Sequence, residues 1–237
     1  MATATWRPAV DALVADLRTV FHERLQSVVV YGPHAEDAGN SEPVSCLALV
    51  TTLRGPDLEA CARYASRWKR QGLAVPLLMP AVEFGRSLDA FPLEYAEMIR
   101  AHTRVYGEEP FAGVTIAPED LRRACETQVK SLLLHLREGF LETGGRPYEV
   151  AALVVASAPA FAALLRNVAR LHDVPVKDRA GATREGARLA GLSDVIVGDV
   201  LMLERPRGVS AADPARLFPD YLATVEQLGR FVDAWTT

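Results

Sequence analysis

The hydrophobic period of this chain changes once, and the change divides it. Before about residue 115, short β-branched runs end in glycine, as in Ser27-Val-Val-Val-Tyr31 before Gly32 and Arg104-Val-Tyr106 before Gly107. Beyond it, apolar residues recur every three to four positions as far as Trp235. The first pattern predicts buried strands and the second predicts helices that each bury a stripe. The expected fold is therefore α+β. A small mixed sheet with flanking helices occupies residues 1–112, and a helical bundle follows over 113–237.

Within the first part, Pro8 opens a helix carrying Val10, Leu13, Val14, Leu17, Phe21 and Leu25 at helical spacing. Ser27–Tyr31 and Cys46–Thr51 read as an antiparallel hairpin. Pro56 opens a second helix, with Leu58, Cys61, Ala65 and Trp68 on one face and Gly72 at its end. Leu73–Met79 reads as a third strand, so the helix before it is a crossover and the sheet is mixed. Phe91-Pro92 breaks the chain, and Leu93–Ile99 reads as strand or short helix.

In the second part, Pro118-Glu119-Asp120 suits a first helical turn. Leu121, Cys125, Val129, Leu132, Leu133, Leu136 and Phe140 form its stripe, and Gly144-Gly145 stops it. Pro147 to Leu171 is one helix, apolar nearly all round, and 174–181 a loop. Ala182–Ala190 and Asp194–Leu203 are shorter helices, and Asp213-Pro214 caps the last.

A net charge of −4 and a pI near 5.8 argue against a duplex-binding scaffold, which needs a basic face. Cys46, Cys61 and Cys125 each fall in an apolar pattern without a CxxC pair, so buried free thiols in a reducing cytoplasm are expected. The first residues lack the basic and apolar regions of a signal peptide. Val150–Leu165, broken by Pro159, reads as a buried helix rather than a membrane span.

The leading amphipathic helix, Val28-Val-Val-Tyr31-Gly32, the polar loop after it and the aliphatic second strand resemble the nucleotidyltransferase superfamily, in its kanamycin-nucleotidyltransferase-like and minimal members. Arg104-Val105-Tyr106-Gly107 resembles the segment that ends that core, and a helical bundle after the core fits as well. The resemblance implies a Gly-Ser turn that holds a triphosphate. It also implies an Asp-x-Asp pair on one face of the next strand, where alternate residues share a face. With a third acid, that pair holds two magnesium ions for in-line phosphoryl transfer.

This sequence departs from the pattern where the chemistry would sit. Pro33 replaces the serine and removes a backbone donor. The acid pair falls on Pro43-Val44-Ser45, and 44–52 contains no acid. Gly32, Pro33, His34 and Ser45 thus remain as a remnant nucleotide site. Glu42, Glu94 and Glu97 are the acids from which a rearranged set could be drawn, and only such a set would call for magnesium.

Other polar residues have plainer readings. His34 is expected in an exposed loop, with Glu36, Asp37 and Glu42 solubilising it. His102 with Arg100 and Arg104 is expected at a solvated edge. His135 belongs on a helix flank, and Arg122, Arg123, Lys130 and Arg137 on a solvated face. Arg166-Asn167-x4-His172 matches the loose Arg-x4-6-His pattern of helical HEPN ribonucleases. The leading expectation is a catalytically inactive nucleotidyltransferase-like binding or assembly module without cofactor or metal. It would have a protein partner or form a homodimer through the C-terminal helices, with neither membrane nor nucleic acid involved. The alternative is an active transferase that moves NMP from an NTP to a small molecule or protein.

Overall fold

The computed structural model describes residues 5–36, 43–172, 179–203 and 212–235. Its contacts fall into two units, Met1–Ile116 and Ala117–Thr237.

The first unit runs α1 (Arg7–Phe21), a 3-10 turn (His22–Arg24), β1 (Leu25–Tyr31), α2 (Pro33–Glu36), β2 (Ser45–Val50) and α3 (Gly55–Arg70). After these come β3 (Leu77–Pro80), α4 (Ala81–Arg86), α5 (Pro92–Arg100) and β4 (His102–Gly107). The strands form one mixed sheet in the order β3-β2-β1-β4. β1 is antiparallel to β2 and β4, and β2 is parallel to β3 across the α3 crossover.

Both faces of this sheet are covered, which is why β1 and β2 read as unbroken apolar runs rather than alternating ones. Val28, Val30, Cys46, Ala48 and Val50 pack with Leu13, Leu17 and Phe21 of α1 and Trp68 of α3. Val29, Leu47, Leu49 and Met79 pack on the other side with Phe84, Tyr95, Met98 and Phe111. α3 is fixed at both ends. The Asp57 carboxylate accepts the Arg54 N–H (3.0 Å) and is gripped by both Arg24 guanidinium nitrogens (2.7 and 2.8 Å). The Trp68 indole N–H donates to Asp16 (2.9 Å).

The second unit comprises α6 (Pro118–Thr143), α7 (Pro147–Leu171), α8 (Arg179–Leu189), α9 (Asp194–Leu203) and α10 (Ala212–Ala234). α7 is central and packs on the other four. Its Val154, Phe161, Leu165 and Val168 are fully buried. By length and composition it is apolar enough to cross a membrane, yet these residues are spent on the core of its own bundle. α6 ends at Gly144 in the left-handed conformation (φ 57°).

Several expectations need correction. β3 is shorter than Leu73–Met79, because Pro76 has no N–H to pair; only a single bridge joins Leu73 to Val44. Leu58 is exposed, and Asp57 is buried in its place because Arg24 neutralises it. Residues 33–36 form a helical turn instead of loop. Leu93–Ile99 resolves as helix. Residues 179–181 are helical, while 174–178 of the expected loop lie outside the described residues. Asp213 lies inside α10, which already includes Ala212.

Candidate functional site

β1 delivers Tyr31 to the end of its strand, between β2 and β4, and Gly32 then turns the chain at φ 77°, a conformation that favours glycine. The Gly32 N–H donates to the Ala101 carbonyl (3.1 Å), and its carbonyl accepts the Ala35 N–H (3.0 Å). The turn is thus tied to the residue between α5 and β4. Pro33 takes the first position of α2, where a missing N–H leaves no helical bond unmade. The same turn carries His34 inward. It is 7% exposed, so the expected exposed loop histidine is buried.

Ser45 opens β2 directly opposite Tyr31. The Tyr31 hydroxyl is pushed above its ordinary value, first by burial and then by the neighbouring Cys46. Glu97 adds to the shift, and a hydrogen bond with Ser45 opposes it. The fold therefore gathers Gly32, Tyr31, Ser45 and Glu97 around one turn. Tyr31 went unnoticed as a site residue in the sequence. Its signal was its place as the last strand position before the glycine.

Glu94 is exposed on α5, three positions before Glu97. Both lie on a helix, whereas the resembled pattern asks for a strand. Glu42, Asp37 and the side chain of Glu36 lie outside the described residues. Pro43 precedes β2, and Val44 is buried against Leu73.

Ser45, Leu47 and Leu49 share one face of β2, the face that continues from Tyr31 and Val29. Leu47 is 1% exposed and Leu49 4%, packed with Met79, Phe84 and Met98. Among the described residues, no group of three or more histidine, cysteine or acidic side chains could hold a metal ion. Among the described residues, the two hydroxyls of Tyr31 and Ser45 and the one carboxylate of Glu97 supply fewer oxygens than a two-magnesium centre, where each hard cation takes about six.

The other candidates are structural. His102 places Nδ1 3.0 Å from the Ile99 carbonyl and Nε2 2.9 Å from Glu109, with its ring edge-on to Phe111. Its ring thus faces a carboxylate. His135 is exposed on the flank of α6, as its position suggested. Arg166 and Asn167 are buried in α7, and the His172 ring packs near Phe231 and Trp235. His172 follows the last residue of α7, at its C-cap.

No protein-family model matches the sequence, and no curated protein matches it at a significant level. Among solved structures, the chain is similar to a spectinomycin adenyltransferase from Enterococcus faecialis, determined with ATP and spectinomycin. The TM-score is 0.61 at 12% identity, covering 96% of this chain and 99% of that one. At that identity the likeness shows the fold: a mixed four-stranded sheet with flanking helices and a helical C-terminal part, arranged as in a nucleotidyltransferase.

Proposed function

We propose that this chain is a nucleotidyltransferase-like protein that has given up metal-assisted transfer and serves as a binding or assembly module. One observation carries the reading. The β2 face beside the Gly32 turn, where the resembled chemistry needs paired carboxylates, bears Ser45 and then Leu47 and Leu49 in the apolar core. Magnesium requires carboxylates and substrate phosphates together, and leucines supply no ligand. Pro33 also withholds a backbone donor from any phosphate at the turn.

Calorimetry with ATP and magnesium tests this. No micromolar, magnesium-dependent heat is expected, and no AMP transfer to spectinomycin. Micromolar binding that disappears with chelator overturns the reading. It would turn attention to Glu97, whose charge already acts on Tyr31 beside the turn.

Buried thiols support a reducing compartment such as the cytoplasm. Burial pushes Cys46 and Cys125 up to about 12 and Cys61 up to about 11, so all three are held as inert thiols. Self-association through the helical unit belongs to the same reading, because α7 keeps Val155 exposed beside its buried core. Sedimentation that returns only monomer at micromolar concentration removes that part.

A further inference from the structure

A groove of about 560 Å³ runs between α6 and α7. Leu132 and Leu164 form its apolar floor, with Ala160 on the α7 side. The α6 side is polar and carries Gln128, Ser131 and His135. What these groups can offer a ligand is set by what they already touch.

Arg170 can only donate, and its Nη1 donates to Asn167 Oδ1 at 2.8 Å. This fixes the Asn167 carboxamide, whose Nδ2 donates to Gln128 Oε1 at 3.4 Å. The Gln128 carbonyl is thereby engaged, and its NH2 is left as a donor. Seven residues on, His135 Nδ1 lies 2.7 Å from the Ser131 carbonyl, which can only accept, so Nδ1 carries the proton. In the neutral ring Nε2 is then an acceptor. Neither Gln128 Nε2 nor His135 Nε2 has a partner among the described residues.

Two of the groove hydroxyls, those of Thr127 and Ser157, are already engaged. Thr127 donates to the Arg123 carbonyl (2.9 Å), and Ser157 lies 2.9 Å from the Val154 carbonyl and 3.1 Å from the Tyr221 hydroxyl. Among the described residues the groove thus presents a donor at Gln128 and an acceptor at His135, about 10 Å apart along the α6 axis, with the Ser131 hydroxyl, 3.3 Å from His135 Nδ1, between them. Among the described residues, no carboxylate, ammonium or guanidinium lines it.

From this we infer that the groove binds an uncharged, elongated organic molecule with an apolar body. The ligand carries a carbonyl-type acceptor toward Gln128 and a hydroxyl donor toward His135. The volume suits a single drug-sized molecule. A charged ligand would surrender its hydration with no counter-charge to replace it. Every residue of this site lies within Ala117–Thr237, so its test is independent of whether the Gly32 turn binds nucleotide.

Testosterone is the probe, since its ketone and hydroxyl sit at opposite ends of a rigid apolar body. Saturable binding to the full chain is expected by saturation-transfer NMR and calorimetry. The 3-deoxo and 17-deoxy analogues should each bind about five- to tenfold more weakly, the range of one lost hydrogen bond. Gln128→Leu should no longer distinguish testosterone from the 3-deoxo form, and His135→Phe should no longer distinguish it from the 17-deoxy form. Ala160→Trp, at an exposed position, should fill the groove and abolish binding; if that variant loses its helical circular dichroism, Ala156→Trp serves at a second exposed groove position. Any one of three results overturns the inference: no saturable binding to the wild type, binding that survives the filled groove, or equal or tighter binding of the anionic 17-sulfate ester.

Discussion

Gly107 faces Gln26 so closely that a methyl group on it would fall 1.8 Å from the Gln26 carbonyl oxygen. Its φ of 73° adds backbone strain for any other residue. The contact lies where edge strand β4 finishes against β1, with Gly107 paired to Ser27. Gly107→Ala should therefore destabilise the protein by about 2 kcal/mol or more. Gly32→Ala is the control. It shares the left-handed conformation (φ 77°) but has nothing within 4 Å, so only strain of about 1 kcal/mol applies. Urea denaturation of both variants checks the order, and a Gly32→Ala loss equal to or larger than that of Gly107→Ala refutes it.

Much of this first unit was legible because its signals are local. An unbroken Val-Val-Val run means a strand covered on both faces, and a glycine after it means a turn. A helix between two strands means a crossover. The absence of an acid from 44–52 could be read directly once β2 was placed. What escaped depends on distant partners. Leu58 looked like a core residue, but Asp57 took that place because Arg24, 33 positions away, neutralises it. His34 looked exposed because four residues of α2 are too few to leave a period. The donor on Gln128 is set by Asn167, 39 positions on, and no spacing rule records the orientation of an amide.

The apolar character of β2 gives a second prediction. Leu47→Asp, made to mimic the missing acid, buries a carboxylate among Met79, Phe84 and Met98. It should cost about 3 kcal/mol or more and should not create a magnesium site. Ser45→Asp, at the half-buried start of the strand, should stay within about 1 kcal/mol. A folded Leu47→Asp protein with wild-type urea midpoint would mean that this face is less committed to the core than its packing indicates.

In the helical unit, α8 crosses α7 at Gly186, where an added Cβ would lie 1.8 Å from the Leu165 carbonyl oxygen. Alanine is the better helix former by about 1 kcal/mol, so propensity alone favours Gly186→Ala. The opposing contact is with backbone, which cannot swing aside as a side chain can. The clash should prevail, giving a net loss of about 1–3 kcal/mol. A rise in melting temperature for this variant would show that the two helices can separate without loss.

The Arg24–Asp57 pair makes the stability of the first unit depend on pH in a defined sense. The hydrogen bond from Arg24 is the main cause holding the Asp57 carboxyl below its ordinary value of 3.8, and the Arg54 N–H adds to it. A carboxyl lowered in the folded state contributes stability above its unfolded value and loses it as pH falls through the folded one. Asp57→Asn separates the charge from the cap, because the amide oxygen can still accept the Arg54 N–H. The variant should melt below the wild type at pH 7 and at pH 5 by the same interval. That interval should shrink as pH falls below about 4, where Asp57 of the unfolded wild-type chain takes up its proton first and the folded carboxylate follows at lower pH. Surface acids such as Glu126 and Glu149, also lowered by their basic partners, titrate alike in both proteins and drop out of the difference. Thermal melts of the two proteins from pH 7 to pH 3 decide the matter: an interval that stays constant or widens in acid would mean that the charge on Asp57 adds nothing beyond its hydrogen bonds.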